Sequence, residues 1–221
     1  KKKKKIIKKK KNKNKKKKKK KKAIIISIKG HKLSIKEKNL FINKRPWGLI
    51  LFKRNIKSLA QVKKLTKEIR DLTQDSKFPI MIDEEGKKVS RLSKIINHVV
   101  SQKMFGDLYK LQPKVSKKLY KDYINILCKI FRDIGININT VPVLDVIRKN
   151  TNSIIGERSF SHDPNIVKKL GQICTNQYRL NKIATVIKHI PGHGCTTSDS
   201  HKKQPKVKLS YKKLQKIDFK P

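Results

Sequence analysis

The stretch IATVIKHIPGHGCTTSDSH, Ile183 to His201, decides how this chain is read. Its apolar opening, Ile183–Ile187, feeds a polar loop that contains Gly192 and Gly194. That order predicts a buried strand delivering functional groups at its carboxyl end. Strand-end loops are where α/β enzymes gather their chemistry. This one holds Lys188, His189 and His193, and it closes on Asp199-Ser200-His201. A carboxylate two residues from an imidazole can orient it and stabilise its charged form while it shuttles protons.

Working outward, further apolar runs alternate with helical patterns. AIIISIK, from Ala23, reads as a first strand and Ser34–Ile42 as a short helix. GLILF (Gly48–Phe52) is a second strand. A helix over Ser58–Leu72 follows, with Leu59, Val62, Leu65 and Ile69 at helical spacing behind a Ser58 cap. FPIMID (Phe78–Asp83) is a third strand ending in an acidic turn, and a longer excursion leads to a helix over Val115–Phe131. Ile138–Val146 supplies a fourth strand despite Pro142. Asp163-Pro164 opens a helix to Leu180, with Pro at the favoured first position, and a last helix begins near Ser210. The alternation predicts a parallel α/β fold. Polar groups stand where the later strands stop, at Asp83-Glu84-Glu85, Asp145 and Lys188-His189, as in a (β/α)8 TIM-type barrel.

At 221 residues the chain can bury one domain core. Its net charge is +45, and eighteen of the Lys fall in the first twenty-two residues. Lys1–Lys22 is expected to be either a disordered, self-repelling tail or an artefact of reading-frame assignment. Elsewhere the Lys excess is spread over every candidate helix, and the few aromatics do not interleave with it. Composition bias is therefore favoured over a nucleic-acid-binding face. Cys128, Cys174 and Cys195 form an odd, widely spaced set that implies no disulfide framework and fits a reducing interior. Ala23–Ile28 is too short for a signal-peptide core or a membrane span, so a soluble, cytoplasmic protein is expected.

Three groups of residues carry chemistry. Asp83 stops an apolar strand in a protein poor in acid, and it can accept hydrogen bonds from hydroxyls or an Arg; Arg91 is either a surface charge or a clamp. The loop IGERSF carries Arg158, one of eight Arg against fifty-two Lys, and Arg does planar bidentate work that Lys cannot. His189, His193, Cys195 and His201 match no standard zinc spacing, and nothing around Cys195 resembles a cysteine-protease signature.

Four segments in order resemble glycoside hydrolase family 3: IDEEGKKVSRL (Ile82–Leu92), GININTVPVLDV (Gly135–Val146), IGERSFSHDP (Ile155–Pro164) and KHIPGHGCTTSDSHKKQP (Lys188–Pro205). The likeness runs from about Gly48 to the C-terminus. It is greatest to bacterial single-domain β-N-acetylglucosaminidases (β-hexosaminidases) of peptidoglycan recycling. The resemblance implies that Asp83, Arg91, Arg158, Lys188 and His189 hold the non-reducing sugar. It implies His201 as general acid/base on a mobile loop, with Asp199 as its dyad partner. Retaining glycosidases add a carboxylate nucleophile, usually about 5–5.5 Å from the proton donor.

The departures are equally specific. The family's Gly-Gly-Arg is Gly86-Lys87-Lys88 here, and Lys87 is expected to strain the turn if that position needs positive φ. The more common Asp-Gln-Glu is Asp83-Glu84-Glu85. No residue matches the family's nucleophilic Asp, which lies on a later strand; Asp218, at a helix end, is not a candidate. Residues 23–221 are thus expected to form an incomplete barrel of five or six strands, marginal by itself and without turnover. The first functional reading is a retaining exo-glycosidase releasing terminal β-linked N-acetylglucosamine from a muropeptide or saccharide, with no metal or cofactor. The alternatives are a catalytically dead amino-sugar-binding remnant and a basic nucleic-acid-associated protein. No membrane or specific nucleic-acid partner is expected, while the Lys tail offers polyanion contact.

Overall fold

The computed structural model describes residues 20–199 and 201–221. Most of the expected Lys tail lies outside the described residues, and Lys22 is already the first residue of a strand. The elements are β1 (Lys22–Ile26), α1 (Ile35–Lys44), β2 (Pro46–Leu51), α2 (Leu59–Thr73), β3 (Ile80–Ile82), α3 (Gln102–Leu111), α4 (Pro113–Asp133), β4 (Ile138–Asn139), α5 (Pro164–Leu180), β5 (Ala184–Thr185) and α6 (Tyr211–Lys216). All five strands are parallel and lie in sequence order. The sheet is not closed: β1 and β5 are its edges among the described residues.

Short polar side chains start the helices where the sequence places them. Ser34 accepts the Glu37 N–H in a capping box, Ser58 accepts that of Gln61, and Asp163 that of Asn165. Each satisfies an N–H that the first helical turn leaves unpaired. The helices pack on one face of the sheet. Val62, Leu65 and Ile69 of α2 and Leu127 and Phe131 of α4 are buried with Leu49, Ile80 and Ile82 of the strands. Phe41 of α1 meets Phe78 edge to face, centroids 5.9 Å apart.

Several expectations need correction. Leu59 keeps the helical spacing but is exposed, because it sits in the first turn of α2, beside its cap. The fourth strand stops at Asn139; the chain from Thr140 is irregular around Pro142, which cannot donate to a ladder, and pairs with β5's continuation at the isolated Val143–Lys188 bridge. Ile183–Ile187 is not a buried run: Ile183 is buried, but Val186 and Ile187, past the end of β5, stay exposed. The long excursion after β3 contains α3, started by Ser101, which the apolar pattern had not revealed. Among the described residues no helix is long and apolar enough to cross a membrane.

Candidate active site

The parallel strands all point their carboxyl ends the same way, and there the polar groups converge. Asp83 follows β3 directly. Its Oδ2 accepts Arg91 Nη2 at 2.6 Å, and its Oδ1 accepts Lys188 Nζ at 2.5 Å and Thr140 Oγ1 at 2.5 Å. Burial pushes the Asp83 carboxyl up, but Lys188, Thr140 and Arg91 together hold it below the usual carboxylate range.

Glu85, two residues on and 3% exposed, accepts a bidentate pair from Arg158: Nε at 2.7 Å and Nη2 at 2.9 Å. Lys188 Nζ reaches the same carboxylate at 2.5 Å. Burial opposes the Arg158 charge, but the Glu85 bonds and charge outweigh it and raise its pKa. Arg158 Nη2 also lies 3.3 Å from His189 Nε2. The other His189 nitrogen, Nδ1, is 2.6 Å from Oδ2 of the fully buried Asp145, whose Oδ1 accepts the His193 N–H at 2.6 Å. Asp145 thereby fixes Nδ1 as the donor and turns Nε2 toward Arg158.

Two local devices carry this arrangement. The Asn139 side chain works as a rung between strand ends, accepting Glu84 N–H at 3.0 Å and donating to Glu84 O at 2.9 Å. Glu84, buried, accepts the N–H groups of Arg91 and Leu92 at 2.8 and 2.9 Å and lies 2.8 Å from His98 Nε2, so it holds the segment that brings Arg91 back to Asp83. The positive-φ position of the turn is Gly86 (φ +134), where a Cβ would come 2.8 Å from Val100 O. Lys87 follows it with an ordinary backbone and donates to Val100 O at 2.9 Å, so the strain expected at Lys87 is absent.

His201 and Asp199 form their pair as well: Nδ1 lies 3.0 Å from Asp199 Oδ1, which also accepts the His201 N–H at 2.9 Å. Those two bonds, backbone first, lower the Asp199 pKa. The His201 side chain is 80% exposed, on a loop after the strand-five turn.

Asp83, Arg91, Arg158, Lys188, His189 and His201 line one cavity of about 370 Å³, with Lys88 and His193 on its wall. Larger grooves of about 660 and 960 Å³ lie against the helices and gather no comparable set of paired groups. All five sugar-binding candidates and the dyad histidine therefore come to one place. Sequence reasoning did not assign Glu85, Thr140 or His193 a role, and it noted Asp145 only as a strand-end group. Asp218 is not on this cavity; it pairs with Arg148 just past α6. Among the described residues no cluster of three or more His, Cys, Asp or Glu is set to hold a metal ion.

Comparison with known proteins bears on the family and the fold. The family model for the glycosyl hydrolase family 3 N-terminal domain matches residues 18–221. A beta-hexosaminidase of Nitrosospira multiformis is 29% identical over 90% of this chain and 56% of its own length. Beta-hexosaminidase A of Pseudoalteromonas piscicida is 32% identical over 79% of this chain and 29% of its own. Native NagZ of Neisseria gonorrhoeae superposes with a TM-score of 0.84 at 27% identity, covering 91% of this chain and 58% of that one. The same enzyme in complex with N-trifluoroacetyl-D-glucosamine gives 0.83 at 27% identity, covering 90% and 57%. The chain spans about half the length of the Nitrosospira relative, as it does of NagZ. Its parallel sheet, its strand-end carboxylates and cations, and a match over nearly every residue make one assignment: this chain belongs to glycosyl hydrolase family 3, whose N-terminal domain it represents.

Proposed function

We propose that residues 23–221 form the sugar-holding part of a retaining exo-β-N-acetylglucosaminidase barrel. The observation that carries this reading is the convergence of Asp83, Arg91, Arg158, Lys188 and His189 on one cavity that His201 also lines. Sugar hydroxyls both donate and accept, and alternating carboxylates and cations offer partners for each role. A terminal N-acetylglucosamine of a peptidoglycan-derived saccharide is the proposed substrate, in keeping with the relative that takes N-trifluoroacetyl-D-glucosamine. Three free cysteines fit a reducing, cytoplasmic setting.

In the proposed reaction a carboxylate bonds to the anomeric carbon while the glycosidic C–O bond breaks. The His201 imidazolium gives its proton to the leaving oxygen, stabilised until then by Asp199. Neutral His201 next takes a proton from water as that water displaces the carboxylate. The nucleophile is proposed to come from outside these residues. Both oxygens of Asp83, Glu85 and Asp145 are already engaged, by Lys188, Thr140 and Arg91, by Arg158 and Lys188, and by His189 and the His193 N–H. A carboxylate held this way is a binding group and a poor nucleophile.

The test pairs titration with N-acetylglucosamine and incubation with a chromogenic β-N-acetylglucosaminide. The expected result is binding that Asp83→Ala removes, without release of chromophore. Absence of binding by the unaltered chain would overturn the sugar-holding role. Release abolished by His201→Ala would place a nucleophile within these residues.

A further inference from the structure

Near the His189–Asp145 pair lies a second ion pair with a buried carboxylate, which the proposed mechanism does not use. Asp218, just past α6, has a side chain 1% exposed and pairs with Arg148 on the segment after β4. Its Cβ packs against Gly192 of the strand-five loop, where φ is +128 and an added Cβ would come 3.0 Å from it. The segment carrying Arg148 is stitched to the same loop. Thr151 Oγ1 accepts the Arg148 N–H at 2.6 Å and donates to Gly194 O at 2.5 Å. Asn152 donates its backbone N–H to Thr196 O at 3.2 Å and its side-chain Nδ2 to Thr197 O at 2.9 Å. On the other side of that loop, Asp145 holds the His193 N–H and the His189 ring.

We propose that Asp218 and Arg148 are a positioning pair. Together they clamp the strand-five loop between α6 and the β4 segment, and so set the angle at which His189 meets Asp145 and Arg158. This rests on the sugar-holding reading of the cavity. The clamp is built from charge as well as packing. Burial is the first cause pushing the Asp218 carboxyl up, Arg148 opposes it, and repulsion from Asp145 adds to it. Arg148 is thus the cation that lets two carboxylates occupy neighbouring positions behind the site.

The experiment substitutes Asp218→Asn, which keeps shape and removes charge, and Arg148→Lys, which keeps charge and removes the planar fork. Two readouts are taken on the whole chain: the His189 ring N–H proton resonance, and affinity for N-acetylglucosamine. Asp218→Asn is expected to shift the His189 resonance and to weaken the sugar about tenfold, the scale of one charge-assisted hydrogen bond. Arg148→Lys, which also serves if Asp218→Asn fails to fold, shifts the resonance less in the same direction. Glu68→Gln, which breaks the surface pair with Lys38, moves neither. An unshifted His189 resonance in the folded variant overturns the clamp. A shifted resonance in a chain that never binds the sugar upholds the clamp and overturns the sugar-holding reading instead.

Discussion

Replacing Arg158 with Lys probes the wiring of the site most directly. Arg158 gives Glu85 two parallel bonds, of 2.7 and 2.9 Å, between side chains 10% and 3% exposed. A lysine is a point charge on a flexible stem and can replace only one of them. Loss of one charge-assisted bond costs about 1.5–3 kcal/mol. Lys188 stays 2.5 Å from Glu85 Oε1, so the carboxylate is not orphaned. The cost then falls near about 1.5–2 kcal/mol, short of the roughly 3–5 kcal/mol of an unpaired buried charge. For a domain of this size the thermal midpoint drops by about 3–8 °C. Urea unfolding at pH 7, followed by circular dichroism on wild type, Arg158→Lys, Glu85→Gln and the double variant, yields both the loss and the coupling between the two residues. A coupling below about 0.5 kcal/mol would refute the reasoning, since it would make the bidentate pair energetically independent.

Two further predictions concern neighbouring groups. The Asp83 carboxyl is held low in the fold, so its stabilisation is complete above the unfolded value of about 3.9 and disappears as pH falls through the folded value. Asp83→Asn should flatten the acid limb of a stability-versus-pH curve, and an unchanged limb would count against the ion-pair account. Gly192→Ala places a Cβ 3.0 Å from Asp218 Cβ at φ +128, and it should cost more than about 1 kcal/mol in denaturant unfolding; a neutral result would show that the loop is free to move away.

The legible parts of this fold are those governed by neighbours in sequence. Ser34, Ser58 and Asp163 act as caps because their partners lie two or three residues on, and the alternation of strands and helices follows from periodicity. Helix α3 was hidden: Gly106 interrupts its pattern, and that glycine is required only because α3 presses on the Phe160 backbone, fifty-four residues away. The site divides in the same manner. Asp83, Arg91, Arg158, Lys188, His189 and the Asp199–His201 pair came from motifs. The matching of Arg158 to Glu85 across seventy-three residues, and of His189 to Asp145 across forty-four, depends on which strand ends the parallel sheet sets side by side. Local spacing carries no record of that. The exposure of Val186 and Ile187 is not legible in the run either, since they follow β5, an edge strand among the described residues.

The pairing of charges in the cavity also governs how the chain responds to ionic strength. Arg91, Arg158 and Lys188 stand against Asp83, Glu85 and Asp145, so the innermost part of the site is nearly neutral inside a chain of net charge +45. At physiological salt the Debye length is about 8 Å, so the outer Lys shell is screened while pairs at 2.5–2.9 Å are not. Added salt should weaken the proposed polyanion contact and leave the proposed binding of an uncharged sugar nearly untouched.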